Sequence, residues 1–228
     1  MSHLRGGGWI TPNVSLIAND NVVKYQEYIA PPISLCDIAY WDGSKVKTIA
    51  KDKYTTSLGT AIGVVVIPEG MLPDGKARIM GLKPVDANGN ASDSNGYMTW
   101  SVYSTDTSLT NYTNALSDFN GLSNTEVLVG LGSDYEAANA AWKYKDAANS
   151  TVQWYLPAAG ELGFLIPRFN EINSAITGVG GVAVGSSYGF WSSSEYSLGR
   201  AYALYTDNGV IDNGDKDYHY SVRVFGVV

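Results

Sequence analysis

The chain has 228 residues, 45% of them hydrophobic and 16% charged, with a net charge of −7. That apolar content builds the core of one large domain, or of a domain with an appendage. The acidic, Lys-poor balance excludes a protein that grips phosphate backbones, so no nucleic acid is expected as a partner.

Residues 1–36 differ from the rest. They hold Gly6-Gly7-Gly8, Pro12 and Pro31-Pro32, show no helical period, and offer one extended segment, Val22 to Ile29. They read as an arm that pairs with another subunit or covers the domain's own edge. The opening MSHLRGGGWITPN lacks a signal-length apolar run, and no later segment has the roughly 18 apolar residues of a membrane helix. Neither Sec export nor membrane insertion is therefore expected.

From Asp37 the pattern is domain-like. Asp37 to Gly43 reads as a strand closing in an Asp-Gly turn, and Ile62 to Ile67 as a short buried strand ended by Pro68. Arg78 to Leu82 and Met98 to Tyr103 are further strand candidates, separated by the loop chemistry of Asp86 to Asn90. Ser133 and Glu136 form the pattern of a capping box for a helix whose face is Ala137, Ala138, Ala141 and Trp142. A second helical pattern covers 158–176 through Leu162, Leu165, Ile166, Phe169, Ile172 and Ile176, with a break expected at Pro167. Val179 to Gly189 is Gly-rich loop. Arg200 to Thr206, Asp207-Asn208-Gly209 and Val210-Ile211 read as a hairpin, and Tyr220 to Val228 as the closing strand. No internal boundary marks a second domain within 37–228.

Chemistry is scarce. A nucleophilic serine needs a base, and the only histidines are His3 and His219, with no Gly-x-Ser-x-Gly elbow around Ser192 to Ser194. A single cysteine, Cys36, excludes an intrachain disulfide and, with the histidines so far apart, most zinc arrangements. Asp86 to Asn90 starts like a calcium loop but has Ala91 at the sixth position and Tyr97 at the twelfth. The tip at Asp212 to Asp217 reads as a solvated turn. No metal site and no cofactor are expected. Sixteen tyrosines on a loop-rich chain instead suggest a recognition surface, because aromatic rings give large contact area with few torsions to freeze.

Several phrases together carry a resemblance. Trp154-Tyr155-Leu156-Pro157-Ala158-Ala159-Gly160-Glu161-Leu162 resembles the WYLPSAGEL motif, and Trp191-Ser192-Ser193-Ser194-Glu195-Tyr196-Ser197 the WSSSEYS motif, of a C-type-lectin-like domain found in proteins of gut bacteria and their phages. Ser221 to Val224 is similar to that domain's terminal YVRPV. The resemblance implies an α+β C-type-lectin-like fold over 37–228: a twisted, mostly antiparallel sheet, two helices and long loops. It also implies that Trp154, Pro157, Glu161, Trp191, Ser193, Glu195 and Arg223 are scaffold. The calcium-binding Glu-Pro-Asn and Gln-Pro-Asp triplets are missing. In related phage receptor-binding proteins the segment after WSSSEYS contacts ligand, which singles out Arg200, Tyr202, Tyr205, Asp207, Asp212, Asp215, Asp217, Tyr218, His219 and Tyr220. Ala158 replaces the motif's serine, so the helix that follows is expected either to fray at its start or to be held by packing.

The expectation is therefore a non-enzymatic virion protein, a head fibre, decoration or tail fibre. Residues 1–36 would join it to other virion proteins, the C-terminal surface would face a host glycan or protein, and the fibre would be a homotrimer by analogy. The alternatives are a bacterial cell-surface adhesin of the same fold and a glycan-active enzyme with a buried carboxylate pair in a cleft.

Overall fold

A computed structural model describes residues 32–102, 107, 109, 115–185 and 188–228. The chain divides into two units, Met1–Pro32 and Ile33–Val228. The extended segment expected at Val22 to Ile29 lies outside the described residues. In the second unit the chain bonds to its sheet before Asp37: the Glu69 N–H donates to Ile33 O, the Ile33 N–H donates to the Glu69 carboxylate, and the Cys36 N–H donates to Val65 O.

The elements in chain order are β1 (Ile38–Trp41), β2 (Val46–Ile49), β3 (Thr60–Ile67), β4 (Arg78–Gly81), α1 (Gly121–Leu131), α2 (Glu136–Lys143), β5 (Trp154–Tyr155), α3 (Ala159–Gly163), α4 (Phe169–Gly178), β6 (Gly189–Ser197), β7 (Arg200–Tyr205), β8 (Val210–Asp215) and β9 (Phe225–Val227). They form an antiparallel six-stranded sheet, ordered β2-β1-β3-β4-β9-β5, and an antiparallel three-stranded sheet, ordered β6-β7-β8. The α+β class holds.

The run at Ile62 to Ile67 is apolar throughout because the large sheet is covered on both faces. Successive side chains alternate. Ala39, Val65 and Ile79 join the α2 alanines in one core, while Ile38, Val64, Val66 and Met80 pack with Leu162, Leu165, Ile172 and Ile176 in the other. The turn after β1 forms as its Asp-Gly pair predicts: the Asp42 carboxylate accepts the N–H groups of Ser44 and Lys45, both at 2.9 Å. The break at Pro167 is present too, as a 3-10 turn over Ile166–Arg168 between α3 and α4.

Four expectations change. Met98 and its neighbours form no strand. Met98 makes a single bridge to Tyr220, and the Trp100 N–H goes to Lys216 O, so no strand runs alongside to continue the ladder. Ser133 does not cap α2. The helix starts at Glu136, whose carboxylate is taken by the Thr99 N–H at 3.2 Å and hydroxyl at 2.6 Å. The closing strand is short because residues 220–222 run between the sheets, Tyr220 bridging Met98, Ser221 bridging Phe190 and Val222 bridging Val85. Finally, α1 is an addition. Its inward positions Gly121, Asn124, Thr125 and Leu128 have helical spacing but mostly polar or small side chains, which hides the period from a hydrophobicity reading.

Candidate functional site

The serines of β6 lie where the β6–β7 register breaks between Trp191 and Glu195. Released from the ladder, they bond to loops, to α1 and α3, and to a β7 carbonyl. Ser192 Oγ donates to Tyr202 O at 2.8 Å. The Ser193 N–H donates to Pro157 O at 2.8 Å, and Ser193 Oγ accepts from Asn124 Nδ2 at 3.3 Å. Ser194 Oγ donates to Asp118 Oδ2 at 2.6 Å and accepts the Ala159 N–H at 2.9 Å. All three serines are 0% exposed.

These contacts show how α3 starts without a capping side chain of its own. The methyl of Ala158 accepts nothing. Ser194, 35 residues away, takes the Ala159 N–H, and Asp118 O takes the Gly160 N–H at 2.9 Å. Glu161 Oε2 takes the Ala158 N–H at 2.9 Å. The first-turn donors of α3 named here are satisfied, so the helix is held from across the fold.

Beside the serines, the Lys216 ammonium donates to Glu195 Oε1 and to Leu198 O, and lies 4.7 Å from the centre of the Trp100 ring. Glu195 Oε2 accepts the Thr107 N–H at 2.9 Å and hydroxyl at 2.7 Å. Trp191 and Trp100 donate their indole N–H groups to Met98 O and Ser192 O, and the Trp154 indole donates to Asp146. Arg223 is buried against the carbonyls of Gly81, Val182 and Ala183, and burial pulls its pKa down.

The ten residues singled out for ligand contact do not share one face. Register pairs Arg200 with Asp215, Tyr202 with Asn213 and Leu204 with Ile211 on one side, and Ala201 with Gly214, Ala203 with Asp212 and Tyr205 with Val210 on the other. Tyr202, on the first side, is only 8% exposed and packs with Ala115 and Ala159. Arg200, also on that side, is exposed but paired with Asp215 at 2.8 Å and Asn213 at 3.1 Å. On the second side Tyr205 lies edge-on to Tyr220, centroids 5.5 Å apart, and Tyr220 rests on Trp191 at 4.6 Å. Gly214 leaves room for this stack, since a Cβ there would meet Tyr220 Cε2 at 2.9 Å. Burial, then the Tyr220 hydroxyl, push the Tyr205 pKa up. Tyr218, 53% exposed, stands edge-on to Tyr220 at 6.4 Å. Asp207, Asp212, Asp217 and His219 are exposed.

Two exposed tyrosines were missed. Tyr188 is 76% exposed and Tyr97 is 43% exposed. Their chain neighbours Gly189 and Met98 pair with Tyr205 and Tyr220, so each lies one residue along the chain from a partner of the tyrosine cluster, and Tyr188 O accepts the Thr206 N–H at 3.4 Å. The available signal was their position beside residues that enter a strand or bridge.

Among the described residues no group of three His, Cys, Asp or Glu side chains converges for a metal ion. The Asp86 carboxylate closes its own turn on the N–H groups of Asn88 and Asn90.

The structure also contains a cleft of about 560 Å³, with Glu161 and Tyr155 on its floor and Arg78, Asp74 and Glu126 among its walls. Glu161 is 1% exposed, and burial raises its pKa to about 7. Both of its oxygens accept protein hydrogen bonds, Oε1 from the Tyr155 hydroxyl at 2.8 Å and Arg78 Nε at 3.3 Å, and Oε2 from the Ala158 N–H. Arg78 continues to Asp74 at 2.8 Å.

Fold and site together define an α+β protein of two antiparallel sheets, with an internally bonded polar centre and a half-buried tyrosine cluster edged by the exposed Tyr218. No family model matches the chain, and no curated protein matches it in sequence. Among solved structures it resembles a fimbrial protein from Bacteroides ovatus ATCC 8483, with a TM-score of 0.53 and 20% sequence identity over 86% of this chain. The match covers 49% of that protein, so this chain spans about half its length. At that identity the likeness speaks for the fold.

Proposed function

We propose that this is a non-enzymatic protein of a bacterial cell surface, which presents the accessible edge of its tyrosine cluster to a glycan or protein ligand. The observation that carries the reading is the tyrosine cluster itself. Tyr220 rests on Trp191 and Tyr205 lies edge-on to Tyr220, which holds both rings in place, and Tyr218 stands edge-on to Tyr220 and is exposed. Rigid aromatic rings lose little entropy on contact. The likeness in fold to a fimbrial protein supports the cell-surface setting over the virion first expected, as analogy from fold. The bonded, buried serines support a structural role for the WSSSEYS-type stretch, and a C-type-lectin-like fold remains the finer assignment that its motifs favour. The ligand set is Tyr205, Tyr218, Tyr220, Tyr188 and Tyr97 with Asp212; Tyr202 leaves it because it is buried.

A second reading is a virion fibre joined to the particle through residues 1–36. It is favoured by the motif resemblance and by the division of the chain at Pro32. Antibody labelling of intact source cells and of purified virions separates the two. Label on cells supports the adhesin, and label confined to virions overturns it.

A further inference from the structure

We propose that the cleft roofed by the start of α1 binds a neutral saccharide unit, at a site separate from the tyrosine face. Its volume of about 560 Å³ lies within the range of small-ligand sites, roughly 300–1,000 Å³. One wall is apolar and aromatic, from Leu72, Phe119 and Leu122, and the rim carries the polar side chains of Asn120, Ser117 and Ser123. An apolar wall facing a ring of donors and acceptors suits a sugar, which has an apolar face and a hydroxylated edge.

The charges select a neutral ligand. The Arg78 guanidinium is committed between Asp74 at 2.8 Å and Glu161 at 3.3 Å. With Lys76 and Glu126 on the exposed rim, three carboxylates face two basic groups, one net negative charge when Glu161 is ionised and none when it is protonated, so an anion gains no net attraction. The cleft is also pre-formed. Phe119 is fixed edge-on to Phe164, centroids 6.2 Å apart. The start of α1 approaches the floor so closely that a Cβ on Gly121 would lie 2.2 Å from Glu161 Oε2 and 2.6 Å from Tyr155 Cε2. A rigid site avoids the ordering cost that weakens small-ligand binding.

The test is an array of neutral and anionic oligosaccharides on the full chain, followed by calorimetric titration with the best neutral binder. Three variants are compared. Ser123→Trp, at an exposed position of α1, fills the cleft without touching the core. Phe119→Ala removes the aromatic wall. Tyr218→Ala perturbs only the tyrosine face. The expected result is a neutral binder whose affinity falls at least tenfold in Ser123→Trp and in Phe119→Ala, and is unchanged in Tyr218→Ala. Circular dichroism and melting of Ser123→Trp should match the parent. The proposal is overturned if no neutral saccharide binds, if anionic glycans bind better, or if Ser123→Trp binds like the parent. Loss of binding in Tyr218→Ala alone would move the sugar to the tyrosine face, overturning the cleft and leaving the face intact.

Discussion

Replacing Lys216 by methionine tests the brace that supports the tyrosine face. Lys216 is 2% exposed and Glu195 is 0% exposed, so Lys216→Met leaves a buried carboxylate without its counter-charge. Removing one partner of a buried pair costs about 3–5 kcal/mol. Glu195 keeps both hydrogen bonds from Thr107, which places the expected loss near the lower end, about 3 kcal/mol. That is a roughly 150-fold shift in the folding equilibrium. Urea unfolding followed by tryptophan fluorescence measures it, because Trp100 lies against the Lys216 ammonium and is 1% exposed. The midpoint should fall with the slope unchanged. Adding Glu195→Gln should recover about half of the loss, because the amide oxygen still accepts from Thr107 while no charge remains buried. A single variant within about 1 kcal/mol of the parent, or a double variant as weak as the two losses summed, would refute the reasoning.

Other outcomes follow from the same contacts. Ser194→Ala removes the acceptor for the Ala159 N–H and the donor to Asp118, and should cost about 1–2 kcal/mol in the same urea assay. Gly121→Ala forces a methyl against Glu161 and Tyr155 and should cost about 1–3 kcal/mol. Because burial lifts the Glu161 carboxyl from its ordinary pKa of 4.5 to about 7 in the folded state, the folded state binds the extra proton. Its contribution is full below pH 4.5 and is lost as pH rises to about 7. The parent should therefore lose about 2–3 kcal/mol across that window, with Glu161→Gln flatter; parallel profiles would contradict this. The Cys36 thiol is 7% exposed and its pKa is raised by burial, so alkylation should be slow in the native state and fast in urea.

Elements whose cause is local were legible in the sequence. The buried strand around Val64, the turn at Asp42-Gly43 and the break at Pro167 each follow from residues adjacent to the feature they produce. Features made across the chain were not. The cap on Ala159 comes from Ser194, and α1 hides its inward face in Asn124 and Thr125. Glu136 was assigned to a local capping box, yet its partner is Thr99, 37 residues away. The ligand face fell between these cases. Its segment was identifiable, and strand alternation alone separates Tyr202 from Tyr205 once β7 is accepted. Tyr188 and Tyr97 come near it in the chain only because Gly189 and Met98 pair with Tyr205 and Tyr220. The cleft is lined by four stretches distant in sequence, so no single motif announces it.

The most direct test of the recognition face is binding of the labelled protein to intact host or bacterial cells, with Tyr188→Ala/Tyr218→Ala compared with the parent. Both side chains are more than half exposed, so their removal leaves the core untouched and the melting temperature should stay constant. The account predicts at least a tenfold loss of cell binding. Binding equal to that of the parent, from a variant that folds normally, would contradict it.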